Sequence, residues 1–218
     1  GTAVQSAWSG TIQKAACETA TILTPVLSSR TTSSVILSTI TGYEYTRVAE
    51  NAEWNTGIWQ DSTSFEGLSS GTTYDFYQRV KETDTHLASG VSVKLTVTTL
   101  AVPDITTTTL ANGVTGQAYS QALTATGSTP ITWTVSSGSL PTGLSLSGNT
   151  ISGTPTVAGS YDFTVKAENT AGNDTQALSI TVSTIPDITT TTLANGVTGQ
   201  SYSQALAASG TTPITWTV

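Results

Sequence analysis

The 218-residue chain has one cysteine, one histidine and no methionine, and charge is scarce throughout. With Cys17 alone, no intrachain disulfide and no cysteine-rich metal site can form. With His86 alone, a histidine zinc cluster is excluded, as is any catalytic triad that does without that imidazole. Only 10% of residues are charged, against about 25% in an average soluble domain. Seven Lys plus Arg against 14 Asp plus Glu give a net charge of −7. That balance repels a phosphate backbone and argues against nucleic acid as a partner. No apolar run approaches the ~18 residues of a membrane-spanning helix, and no charged-then-apolar start reads as a signal peptide. The missing initiator Met predicts a processed or excised piece of a longer protein. No stretch keeps a 3.6-residue apolar period over about 11 residues, which excludes helix as the main element.

Hydroxyl groups take the place of charge. Thr and Ser number 47 and 27, about a third of the chain, and Gly adds 19 more. The strongest pattern is internal. Residues 103–135 read PDITTTTLANGVTGQAYSQALTATGSTPITWTV, and residues 186–218 read PDITTTTLANGVTGQSYSQALAASGTTPITWTV. They agree at 29 of 33 positions with a period of 83 residues. The four changes, Ala118 to Ser201, Thr124 to Ala207, Thr126 to Ser209 and Ser128 to Thr211, are all among small residues. A period of that size fits one small β-sandwich per copy and is too long for a solenoid turn. The reading is therefore an unassigned segment over 1–20, a first sandwich over 21–100, a complete copy over 103–185 and a truncated second copy over 186–218. The joints, Leu100–Asp104 and Thr184–Asp187, are short and each contains a proline that stiffens it.

Nearly every segment reads as strand. Ile131–Val135, Tyr161–Ala167 and Leu178–Val182 alternate apolar with polar residues, and Thr suits the solvent face of such strands. Turn signals recur at Asn112-Gly113, Ser137-Gly138, Pro141-Thr-Gly143, Gly148-Asn149, Ala158-Gly159 and Ala171-Gly-Asn173. Upstream, Val35–Leu37, Tyr43–Tyr45, Tyr74–Val80 and Val91–Val97 give a second antiparallel set. The expected fold is all-β, a row of antiparallel sandwiches.

The stretch Leu140-Pro-Thr-Gly-Leu-Ser-Leu-Ser-Gly-Asn-Thr-Ile-Ser-Gly-Thr-Pro155, followed by Gly159-Ser-Tyr-Asp-Phe-Thr-Val-Lys-Ala-Glu-Asn-Thr-Ala-Gly172, resembles the immunoglobulin-like domain of bacterial surface proteins. Those domains are similar to cadherin-like, dystroglycan-type sandwiches. The resemblance covers 103–183, and 186–218 carries its front part. Residues Gly42–Tyr45, Ile58–Asp61, Phe65–Leu68 and Gly71–His86 resemble a fibronectin type III-like module of Gram-positive surface proteins, over about 21–99. That likeness departs from the pattern at Arg47–Gly57, which is longer and more charged than a tight turn. Together the resemblances imply tandem immunoglobulin-like and fibronectin type III-like β-sandwiches.

Candidate sites follow from residue type. The resemblance implies that Trp133 and Trp216, at equivalent positions and flanked by Ile and Val, are core residues. Trp54 lies in the polar insertion Glu50–Gly57, where an aromatic can stack on a sugar or anchor in a partner's pocket. Trp59 is the other ligand candidate, with packing as its plainer reading. Asp104, Glu168, Asn169 and Asp174 are calcium candidates because that ion takes oxygen ligands and cadherin-like sandwiches often hold it between domains. The acids are sparse, so solvated carboxylates are the better reading, and no cofactor is expected. His86, with Asp84 two residues away, shows no catalytic arrangement. A Lys–Asn isopeptide would have to use Lys14, Lys81, Lys94 or Lys166. The Thr106–Thr109 and Thr189–Thr192 runs suit either O-glycans or solvent-facing strands.

Residues 186–218 should supply three strands, Ile188–Leu193, Tyr202–Ser209 and Ile214–Val218, with Leu206, Ile214, Trp216 and Val218 on an apolar face. Without its second half this set has open edges that recruit another chain, so self-association through 186–218 is expected. These readings predict a non-enzymatic extracellular stalk or adhesin spacer of a bacterial cell-surface protein, with a host or cell-wall glycan or a protein as its ligand. The alternatives are accessory modules of a secreted polysaccharide-degrading enzyme and a filament subunit completed through the half copy.

Overall fold

In a computed structural model, residues 14–16 and 21–217 are described, so Trp8, Cys17 and Val218 lie outside the described residues. The chain divides into two compact units at Ala101/Val102.

The first unit is built from β1 (Leu27–Arg30), β2 (Val35–Leu37), β3 (Tyr43–Ala49), β4 (Ser64–Phe65), β5 (Thr73–Val80) and β6 (Leu95–Thr98). One sheet runs β1-β2-β4 and the other β3-β5-β6. Their apolar faces meet in one core, with Val35, Leu37 and Phe65 from the first sheet against Tyr45, Phe76 and Val97 from the second. The rings of Phe65 and Phe76 pack edge to face at 5.1 Å, a geometry that aligns one ring's positive edge with the other's negative face. The expected strand Val91–Val97 is shorter than its sequence suggests, because regular pairing begins only at Leu95. Serine hydroxyls explain the difference. Ser92 Oγ accepts the Gln78 N–H and Ser89 Oγ accepts the Val80 N–H, so side chains take bonds that a backbone ladder would otherwise make.

The second unit opens with β7 (Asp104–Ile105), β8 (Gly113–Val114), β9 (Tyr119–Ala122), β10 (Ala125–Thr126) and β11 (Thr132–Gly138). It continues through β12 (Leu144–Ser147), β13 (Thr150–Gly153), β14 (Gly159–Asn169) and β15 (Gly172–Ser183). One sheet has the order β11-β14-β15-β8, the other β12-β13-β9, and β7 pairs with β10. Alternation sets the core: Phe163, Val165 and Ala167 of β14 and Leu178, Ile180 and Val182 of β15 are buried, against Leu123 and Ile151. The hairpin between β14 and β15 closes on Asn169, whose Oδ1 accepts the N–H groups of Ala171 and Gly172. Gly143 and Gly153 explain the spaced glycines of the LPTGL and ISGTP stretches. Both have positive φ, and a Cβ on either would run into the backbone opposite.

Residues 186–217 form only β16 (Asp187–Ile188) and β17 (Ala208–Ser209), which pair with each other. The strands expected over Ile188–Leu193, Tyr202–Ser209 and Ile214–Val218 are therefore mostly absent among the described residues. A ladder needs a partner. In the first copy β9 pairs with β13 and β11 with β14, and the second copy has no counterpart of either partner within the sequence.

Candidate functional site

Two surfaces carry the candidate residues, one in each unit. In the first, Trp54 sits on a single 3-10 turn over Trp54–Thr56, exposed, after a polar loop turned by Asn51 at φ 59°. Its ring lies 6.5 Å from that of Trp59 at 60°. Glu44 of β3 and Arg79 of β5 are directly paired across the strands, and Arg79 Nε donates to Glu44 Oε1 at 2.6 Å. That bond holds the guanidinium 4.1 Å above the Trp59 ring, a cation–π stack that occupies one face of the indole. Trp59 is thereby committed largely to packing, while Trp54 stays available. The sequence reading chose both tryptophans but missed Arg79, because only the strand register brings it to Trp59.

Beside this patch a buried carboxylate organises the loop. Asp75 accepts the Asn51 N–H at 2.8 Å, the Lys94 ammonium at 2.9 Å and the Thr96 hydroxyl at 2.6 Å. Burial, the largest single influence, pushes this carboxyl up, but the bonds from Thr96, Lys94 and Asn51 together outweigh it and hold it below the usual range. The Asp75 bond in turn raises Lys94. Lys94 Nζ also lies 3.1 Å from Asn51 Oδ1, with its side chain 41% exposed. A solvated ammonium held in this pair has no lone pair with which to attack the Asn51 carboxamide, so the contact is an ion-pair network. Lys14, Lys81 and Lys166 pair with Glu82, Asp61 and Glu168. His86 is exposed, with Nδ1 2.9 Å from Thr85 Oγ1 and its backbone bonded to Thr83.

The calcium candidates fall into separate structural roles. Asp174 Oδ2 accepts the Ile105 N–H at 2.8 Å and its Oδ1 the Thr175 N–H. Glu168 pairs with Lys166, and Asn169 donates to Ser128 O at 2.7 Å. Asp104 is exposed opposite Thr126. Among the described residues, no three or more His, Cys, Asp or Glu side chains cluster as a metal site would require. In the threonine run, Thr107 Oγ1 accepts the Thr124 N–H and meets the Thr124 hydroxyl at 3.0 Å, a structural use of one hydroxyl.

The second surface appears when the two copies are set side by side. Their local frames are the same. Tyr119 Oη donates to Ala111 O at 2.9 Å and Tyr202 Oη to Ala194 O at 2.8 Å. The pair β7–β10 recurs as β16–β17, and both Thr129-Pro130 and Thr212-Pro213 are cis. Their exposure is not the same. Ile105, Tyr119 and Leu123 are 7%, 9% and 0% exposed, whereas Ile188, Tyr202 and Leu206 are 61%, 50% and 52% exposed. Trp133 packs half-buried on the core, and Trp216 is exposed with Ile214 half-buried beside it. Val218 lies outside the described residues. Apolar side chains that the first copy buries are thus exposed at the equivalent positions of the second. The complete copy also carries an open cleft of about 570 Å³ between Leu110, Asn112, Asp162 and Ser179, which has no signal in the sequence pattern.

Comparison with known proteins is consistent with the architecture. Residues 97–183 match a family model described as "Putative Ig domain". Curated proteins give no match. Among solved structures, a Bacteroides fragilis protein described as a "putative alpha-galactosidase/melibiase" is 31% identical over 37% of this chain, with a TM-score of 0.34. The endo-fucoidan hydrolase MfFcnA4 is 19% identical over 66% of this chain, TM-score 0.35. Titin domains I67–I69, in an E-to-A mutated variant, are 13% identical over 75% of this chain and 67% of that one, with a TM-score of 0.39. The chain spans 17% of the galactosidase chain and 24% of the fucoidan hydrolase chain. The protein is all-β, and residues 97–183, which match that family model, take in the paired sheets of the second unit.

Proposed function

We propose that the chain is a non-enzymatic structural segment, a stalk or adhesin spacer, of an extracellular protein displayed on a bacterial surface. One observation carries this reading. The four positions at which the copies differ, Ala118, Thr124, Thr126 and Ser128, are exposed or half-buried in the first copy, and none belongs to its buried core. Duplication has preserved the packing and varied the surface, as expected where the fold itself is the product. The first unit fits the same use as a fibronectin type III-like module. A second reading, an accessory module that holds a polysaccharide-degrading enzyme on its substrate, is favoured by Trp54, an exposed aromatic next to a second ring. Affinity electrophoresis through gels containing galactans, fucoidan or cell-wall glycans separates the two. The spacer reading expects unchanged migration in every gel and no release of reducing ends. Retardation that disappears in Trp54→Ala would overturn it in favour of the accessory module.

A further inference from the structure

Two edge strands, β3 and β11, are seven residues long, and only one of them is guarded. A long open edge is a template for a further strand, and natural sheets blunt it with charge, proline or a covering loop. On the free side of β3, Gln60 exchanges two backbone bonds with Tyr45, at 2.8 and 2.9 Å. The Thr46 hydroxyl donates to Ile58 O of the same loop, and Glu44 and Arg47 add charge along the strand. β11 is outermost in its sheet and pairs only with β14. Thr132–Gly138 holds no charged residue and no proline. Among the described residues, no backbone bond reaches its far side. Its apolar side chains stay half-buried although they face the core: Ile131, Trp133 and Val135 all keep exposed surface. An open groove of about 400 Å³ runs beside Ile131 and Trp133 towards Leu123 and Asn149.

The strand that fits this edge is the strand itself. Ile131-Thr-Trp-Thr-Val135 reads nearly the same in both directions. Turned antiparallel on itself about Trp133, it sets Ile131 opposite Val135, Thr132 opposite Thr134, and Trp133 opposite Trp133. Residues directly opposite in an antiparallel pair share a face. Every apolar residue then meets an apolar one on the core side, and every threonine meets a threonine on the solvent side. Aromatic pairs and Thr–Thr pairs are among the favourable cross-strand combinations. A slip of one residue would set Trp133 opposite a threonine and mix the two faces. The paired stretch also ends before the bulge between Val135 and Ser137. The nearest charges, Lys166 and Glu168 on β14, already pair with each other at 2.7 Å, so the contact brings no unpaired like charges together. We infer that β11 is a self-association edge: two copies of this chain pair antiparallel through residues 131–135 about a twofold axis at Trp133. Their β11-β14-β15-β8 sheets join into one, and a second indole lies at the mouth of the groove beside the first. The contact is isologous and closes at two copies. It rests on this strand alone and stands or falls apart from the spacer reading.

Sedimentation equilibrium on the full chain is the test. A reversible monomer–dimer equilibrium is expected below about 1 mM chain, with amide exchange over 131–135 slowing as the dimer fills. Thr132→Lys with Thr134→Lys sets lysine opposite lysine in this register and should weaken the dimer by about tenfold or more. Thr132→Lys with Thr134→Glu sets each lysine opposite a glutamate and should keep it. Both positions are exposed, so the variants keep their fold, and unchanged exchange at the Val165 amide verifies that. Thr215→Lys with Thr217→Lys, at the equivalent positions of the repeat, should leave the dimer as it was. A single monomeric mass up to about 1 mM would overturn the inference. So would a dimer that survives the two lysines, one lost equally in the Lys–Glu variant, or one lost only when Thr215 and Thr217 are changed.

Discussion

Residues 103–135 and 186–217 are almost the same sequence in two different situations. In the first copy Ile105, Tyr119 and Leu123 are buried beneath strands β12–β15; in the second, with the same local frame, Ile188, Tyr202 and Leu206 are exposed. What survives without the cover is local: a two-residue pairing, a tyrosine–carbonyl bond and the turn Val197–Gln200. What is lost is non-local, namely the long strands, the burial and every bond to residues beyond 136. Apolar alternation specifies which face will be buried, but the neighbour it meets decides whether a strand forms at all.

The largest expected contrast is between Leu123→Ala and Leu206→Ala. The first truncates a fully buried side chain and should cost about 3 kcal/mol. The second truncates an exposed one and should stay within about 0.5 kcal/mol. Native-state hydrogen exchange at the Val165 and Ile180 amides reads both, and equal effects would break the comparison. Next comes the first unit, where a perturbation should leave those amides unchanged. Asp75→Ala removes the acceptor for Thr96, Lys94 and the Asn51 N–H, and should cost about 2 kcal/mol in exchange measured on β5. Because the folded Asp75 carboxyl is lowered, its contribution is fully present above the unfolded value of about 3.9. It is lost as pH falls through the lower folded value, and Asp75→Asn should abolish that component of an acid titration. A smaller effect is expected from Asp174→Ala, about 1 kcal/mol in the second unit, since the Ile105 N–H loses its acceptor. Smallest of all, Thr124→Ala gives the first copy the residue of the second at Ala207. It removes the hydroxyl shared with Thr106 and Thr107 while leaving the backbone bond, and should cost no more than about 0.5 kcal/mol by denaturant melting.

Much of the second unit was legible in the sequence. The alternation of Tyr161–Ala167 and Leu178–Val182, with Gly and Asn between them, specifies a hairpin whose inward side chains can be named in advance. The resemblance placed both Trp133 and Trp216 in a core: Trp133 packs half-buried against one, whereas Trp216 is exposed. The first unit was less so. Irregularity at Val91–Lys94 depends on two serines choosing backbone N–H groups across the sheet, a choice no local pattern records. The candidate site was legible in part. Trp54 was visible as an aromatic in a polar loop, yet the Arg79–Trp59 stack depends on the register of β3 and β5 and the position of a loop between them. That residues 186–218 repeat 103–135 was legible from the 83-residue period. The second copy's strand content was overestimated because alternation was counted without asking for a partner.

The parallel pairing of β8 with the end of β15 has a mechanical consequence. Val182 and Ser183 lie beside Gly113 and Val114, and Thr115 N–H reaches Ser183 O at 2.9 Å. These residues lie near the entry and the exit of the domain, and their strands point the same way. Tension applied at the two ends would therefore load the bonds together in shear rather than peel them one at a time. A single rip force, set by this short clamp and softened by shortening it, is the signature to look for under load.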